Sequence, residues 1–265
     1  MDQDLCQHAG NYLKSILEII ERIQATQMTS IKQAAEICAE CISHDALVHM
    51  FATGHSRVAV EEMFPRFGSF VGFNPLVELS LTYHTEVIGP NGHAQAMFLE
   101  NVPGLGRVIA ESIPVRATDV MLIFSNSGAH TVAVELALAV QQQQLPVIVV
   151  TSVEQCNAVQ ASHPTGLKLI DVANVTIDTC NPLGDALVSI PGIDDRVGPG
   201  STIATVAVAN TLKCQVATEL IRIGAKPTVL VHPQFGATRS QESAIRCYDE
   251  HRRRIGYLYS SSKKL

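Results

Sequence analysis

Short, unbroken apolar runs that end in small hydroxyl and glycine residues constrain this sequence more than any other feature. The clearest is "VMLIFSNSGAH", residues 120–130, in which five apolar residues, Val120 to Phe124, lead straight into Ser125, Asn126, Ser127 and Gly128. A strand with no polar alternation is buried on both faces, which happens mostly in parallel sheets covered by helices. After Gly128 the period changes, and Val132, Val134, Leu136, Ala137 and Val140 suit a helix packed back on that sheet. Ser125 to Gly128 is therefore a strand-to-helix turn. In open parallel sheets such turns lie at the carboxyl ends of the strands, where ligands bind, and the new helix points unpaired N–H groups at the loop. Small hydroxyl residues there suit an anion, most simply a phosphate.

The same arrangement recurs along the chain. Leu47 to Ala52 reads as a strand ending in Thr53-Gly54-His55-Ser56, with a helix over Val58 to Phe67. Phe70 to Phe73 reads as a short strand stopped by Asn74-Pro75, Val147 to Val150 as a strand ending in Thr151-Ser152, and Val175 to Ile177 as a fifth strand. Leu105 to Ile113 is helical in pattern, whereas Leu76 to Asn101 is broken by Gly89, Pro90, Asn91 and Gly92. Strands alternating with helices predict an α/β fold, a doubly wound, flavodoxin-like five-stranded parallel sheet of order 2-1-3-4-5 with right-handed crossovers. That order brings the "TGHS", "SNSG" and "TS" loops to one crevice.

Around this unit the pattern is helical. Leu13, Ile16, Leu17, Ile20 and Ile23, then Ile31, Ala34, Ala35, Cys38 and Ile42 after a break at Met28 to Ser30, give two amphipathic helices over residues 1–45. They are expected to pack on the domain or on a partner subunit. The segment 181–202 reads as a hairpin excursion before a long helix from Ser201 to Ile223, capped by Ser201 or Thr202. Thr228 to Val231 is a candidate last strand and Gln241 to Ile255 a closing helix. The main domain is expected over 46–256, with a disordered tail at 257–265.

Composition excludes several classes. A net charge of −6 with one dense basic run, His251 to Arg254, does not suit a nucleic-acid binder, and that run reads as a solvated helix end. No stretch approaches the roughly 18–20 apolar residues that span a bilayer, and "MDQDLCQHAG" lacks a signal pattern. The seven cysteines are an odd number scattered through periodic segments, so they read as reduced, packed thiols. Cys38 and Cys41 form a CxxC with no second pair near it, so no metal is expected. A cytoplasmic location follows. "ATGHS" is neither a Walker loop nor a dinucleotide fingerprint, and no cofactor is expected.

Together, "TGHS" (53–56), "EEMF" (61–64), "DVMLIFSNSG" (119–128), "SHPTGLKL" (162–169) and "GDALVSIPGIDDRVGPGST" (184–202) make the chain similar to SIS (sugar isomerase) domain proteins. The resemblance covers nearly the whole chain and is nearest to the bacterial SIS subfamily UPF0309. It implies phosphosugar recognition, with the phosphate held by Ser56, Ser125, Ser127, Gly128, Thr151 and Ser152, with Asn126 beside them and Ser201 and Thr202 as further candidates; Gly54 and His55, inside the first loop, are candidate ligand contacts by their position. It also implies homo-oligomers, dimers or tetramers. Arg57 and the pair Ala129-His130 depart from the subfamily's pattern, and Tyr83-His84-Thr85-Glu86 aligns with its "LHEG". Aldose–ketose isomerisation needs a base that moves a proton between C1 and C2 through an enediol. Glu61, Glu62 and Glu86 are the candidate carboxylates, and His55, His84, His93, His130 and His232 the candidate histidines. Two rivals stay open: a non-catalytic sugar-phosphate sensing module, and a sugar-phosphate lyase that cleaves an ether.

Overall fold

The computed structural model describes residues 6–82 and 92–260. Helices α1 (Gln7–Thr26) and α2 (Met28–Ser43) are separated only by Gln27 and precede β1 (Val48–Ala52). A turn of 3-10 helix, Gly54–Ser56, leads into α3 (Arg57–Met63), then β2 (Phe73–Leu76). Beyond the 83–91 segment come α4 (Gly92–Leu99), α5 (Leu105–Ser112), β3 (Val120–Phe124), α6 (Thr131–Gln142) and β4 (Val147–Thr151). Two short helices follow, α7 (Val153–Ala158) and α8 (Leu169–Val172), then β5 (Val175–Asp178). A hairpin of β6 (Ala186–Val188) and β7 (Val197–Pro199) leads to α9 (Ser201–Arg222), and α10 (Ala237–Ser260) closes the chain.

Five parallel strands form one sheet in the order β2-β1-β3-β4-β5, the doubly wound arrangement that the apolar runs predict. Every residue of β1, β3 and β4 is buried, because helices cover both faces. Met50, Leu122 and Ile148 point to a core shared with α2 and α9, while Phe51, Met121, Ile123 and Val149 point to the core under α6. Ala52 stands opposite Phe124, so the turns after β1 and β3 leave the sheet side by side.

Several expectations need correction. The second strand is not Phe70 to Phe73 but Phe73–Leu76, which includes Asn74 and Pro75. It is the edge of the sheet, where proline costs no ladder bond, and Asn74 is buried against His49. Thr228 to Val231 forms no strand. It contributes only an antiparallel bridge, Phe70 to Val229. Neither Ser201 nor Thr202 caps α9, since the carboxylate of Asp185 does so from the hairpin. The basic run is solvated only in part, since Arg252 and Arg253 are exposed. Arg254 is buried and donates to the carbonyls of Ile42 and Ala46, while Arg253 pairs with Asp45. The closing helix passes Ile255 and takes in residues 257–260. There Tyr257 donates to Asp119 Oδ2 at 2.7 Å.

Candidate functional site

At the carboxyl ends of β1 and β3 lies a pocket of about 220 Å³. The first turn supplies Thr53, Gly54, His55 and Ser56, and the second Ser125, Asn126, Ser127 and His130. Ala59 and Glu100 close one side, and Asp185, Ser201, Thr202 and Thr205 the other. The lining holds hydroxyls, amides, two histidines and two carboxylates, with no lysine or arginine. Gly128 takes φ +61 at a position where a Cβ would lie 3.0 Å from Cys156 Sγ, so the tight second turn needs glycine.

The hydroxyls of this second turn are arranged to donate. Ser125 Oγ accepts from the Gly128 amide at 3.1 Å, and Ser127 Oγ from the Ala129 amide at 3.4 Å. A hydroxyl that accepts from its own loop keeps its proton for an anionic ligand. Asn126 Oδ1 is buried with no hydrogen-bond partner among the described residues, an acceptor placed for a ligand hydroxyl.

Gly128 shapes the second turn by donating its amide to Ser125 Oγ, and eight of the expected ligand contacts line the pocket: Gly54, His55, Ser56, Ser125, Asn126, Ser127, Ser201 and Thr202. Thr151 and Ser152 do not. Thr151 donates to the Asn126 carbonyl at 3.2 Å, and the buried Ser152 caps α7 by accepting from the Gln155 amide while donating to the Asn181 carbonyl. They brace the second turn from beneath. Ser201 is already engaged, since Asp185 accepts from the Gly200 amide at 3.0 Å, the Ser201 amide at 2.8 Å and Ser201 Oγ at 2.9 Å. A resident carboxylate thus occupies the amino terminus of α9, where a phosphate was expected.

Neither candidate base in α3 reaches the pocket. Glu61 is exposed and pairs with Arg57 one turn away, 3.5 Å apart. Glu62 points at α9. Burial alone would raise its carboxyl, but hydrogen bonds from Asn210 and Arg66 outweigh that and hold it below the usual carboxylate range. Such a carboxylate is poorly matched to removing a proton from carbon. His84 and Glu86 lie outside the described residues. His232 caps a turn at Pro233–Phe235, beside a different groove.

Of the two carboxylates in the lining, Asp185 is taken up by the start of α9, and the other is Glu100, which the sequence reading missed. It is 5 % exposed, accepts from Thr53 Oγ1 at 2.8 Å through Oε2, and lies 3.5 Å from His130 Nε2 through Oε1. Its backbone carbonyl accepts from the Val132 amide, tying it to the first turn of α6. The site therefore pairs a buried carboxylate with a histidine beside a cluster of hydroxyls, the components of proton transfer on a polyol anion.

Comparison with known proteins agrees with this fold. Residues 11–152 match the SIS domain family model. A UPF0309 protein of Oceanobacillus iheyensis is 31% identical over 192 residues, 72% of this chain and 76% of its own. Another, from Caldanaerobacter subterraneus, is 28% identical over 250 residues, 93% of this chain and 98% of its own. The fold is shared with a crystal structure of a candidate sugar-phosphate isomerase from Listeria monocytogenes, with a TM-score of 0.50 and 16% identity over 85% of this chain and 94% of that one.

Proposed function

Because this chain belongs to the SIS-domain family, and within it to the UPF0309 proteins, we propose that its pocket binds a sugar phosphate and interconverts the aldose and ketose forms. The observation that carries the reading is Glu100, a buried carboxylate steadied by Thr53 and His130 within a ring of serine and threonine hydroxyls. The turns holding Ser56, Ser125 and Ser127 take the phosphate, which needs no lysine or arginine where hydroxyls and loop amides converge. Thr202 adds a further hydroxyl from α9.

One carboxylate carries the carbon-bound proton, and water supplies the proton that the carbonyl oxygen gains and takes the one that the C2 hydroxyl loses. With the sugar open, Glu100 takes the proton from C2 and the bond electrons pass into a C1=C2 double bond, while the carbonyl oxygen gains a proton to give the enediol. Glu100 then returns a proton to C1, and loss of the C2 hydroxyl proton leaves the ketose. The reading also includes a homo-oligomer in the cytoplasm. The exposed Leu13 and Leu17, one turn apart on α1, support the first. Supporting the second are the buried thiols of Cys38, Cys41, Cys156, Cys180 and Cys247; burial pushes the Cys38 thiol up to about 12, which keeps it inert.

The test is incubation with hexose, pentose, heptose and amino-sugar 6-phosphates in deuterated water. Deuterium at the reacting carbons together with ketose product supports the reading. Loss of the 3-substituent supports the lyase instead, and thermal stabilisation without exchange supports a sensing module. Glu100→Gln keeps the Thr53 contact and should lower exchange by about a hundredfold or more while sugar phosphate still binds.

A further inference from the structure

Two consecutive residues at the end of α4 reach both nitrogens of one imidazole. Glu100 Oε1 lies 3.5 Å from His130 Nε2, and Asn101 Oδ1 lies 3.3 Å from His130 Nδ1. We infer that Asn101 is a positioning residue that fixes the tautomer of His130 and aims its Nε2 at the pocket carboxylate. The inference rests on the reading of Glu100 as the proton-transfer group and adds what orients its partner.

Asn101 Nδ2 donates to the Met97 carbonyl at 2.9 Å, which fixes the amide's orientation and turns the acceptor-only Oδ1 toward the ring. His130 Nδ1 must then carry the proton of that contact. The backbone beneath the ring is fixed, because His130 is the amino-terminal cap of α6 and its carbonyl accepts from the Val134 amide, and the ring itself is held by its two contacts with Asn101 and Glu100.

With Nδ1 protonated, a neutral ring would present a lone pair to the carboxylate. The contact turns attractive when the ring takes up a second proton at Nε2, with Glu100 staying the carboxylate that the proposed proton transfer requires. Thr53 already donates to Oε2, so Oε1 is the oxygen left for His130 and the ligand. Among the described residues the other titratable side chains facing the pocket are His55 and Asp185. Asp185 is taken up by Asn181 and the start of α9. This is the logic of a carboxamide or carboxylate that orients a catalytic histidine from behind.

Nitrogen-15 correlation spectra of the ligand-free protein at neutral pH decide the matter, with His130→Gln identifying the resonances. The expected result is a protonated Nδ1 on His130 in the wild type and in Asn101→Asp, and loss of that signature in Asn101→Leu while the other histidine signals stay in place. A bare Nδ1 in the wild type, or an unchanged His130 in Asn101→Leu, overturns the inference. Because this readout needs no substrate, it stands even if no sugar phosphate is turned over. With a turned-over sugar phosphate, Asn101→Leu should lower kcat about tenfold, with KM changed less than about twofold, and Asn101→Asp should restore it.

Discussion

Replacing Asp185 by alanine removes the internal anion at the start of α9, a 22-residue helix packed in the core. The carboxylate accepts from the Gly200 and Ser201 amides, from Ser201 Oγ and from Asn181 Nδ2, all within 3.0 Å. Loss of an N-terminal cap costs about 1 kcal/mol, and loss of a negative charge at a partly exposed helix start about 0.5 kcal/mol more. Asp185 also has φ +66, where an alanine side chain is strained by about 1 kcal/mol. Together these give roughly 2–3 kcal/mol, or a fall in Tm of about 5–10 °C for a chain of this size. Asp185→Asn keeps an acceptor and tolerates the backbone, so it should lose less than half as much. Thermal unfolding followed by circular dichroism measures both. The vacated amides face the pocket, so added inorganic phosphate should raise the Tm of Asp185→Ala more than that of the wild type. A Tm within about 1 °C of wild type for Asp185→Ala would refute the reasoning.

Other outcomes follow from the same structure. Glu62→Gln should leave exchange within about twofold of wild type, since the side chain serves the contact between α3 and α9; proton exchange measures it. Gly106→Ala should destabilise by about 2–3 kcal/mol in urea unfolding, because its Cβ would lie 2.2 Å from the Val132 carbonyl oxygen where α5 meets α6. Burial raises the Asp119 carboxyl, but hydrogen bonds from His49, the Arg116 and Leu47 amides and Tyr257 outweigh it and hold it below the usual range. Its stabilisation is complete above the unfolded carboxylate value and is lost as pH falls through the folded one. Tm should therefore drop on acidification below about pH 4, and less steeply in Asp119→Asn.

The sheet was legible because strands buried on both faces carry an unbroken apolar signature, and because small residues at their ends have few other uses. The loops at Thr53 to Ser56 and Ser125 to Gly128 were legible for the same reason. Two misplacements had local signals that point the right way. Arg57 with Glu61 and Glu62 with Arg66 stand at i,i+4 spacing, the mark of surface ion pairs. Ser152 with Gln155 has the spacing of a capping motif. Glu100 and Asp185 had no such signal. Glu100 ends a short helix with no amphipathic period, and its partners Thr53 and His130 are brought to it only by the folded sheet. Asp185 caps a helix 16 residues away, across a hairpin whose register the sequence does not specify.

The central claim is that the two serine-bearing turns and Glu100 enclose one sugar phosphate. A crystal structure with the panel member that most raises Tm tests it most directly. The account predicts the phosphate at Ser56, Ser125 and Ser127, with C1 and C2 against Glu100. Density for the sugar phosphate elsewhere on the molecule, or no stabilisation by any member of the panel, would contradict it.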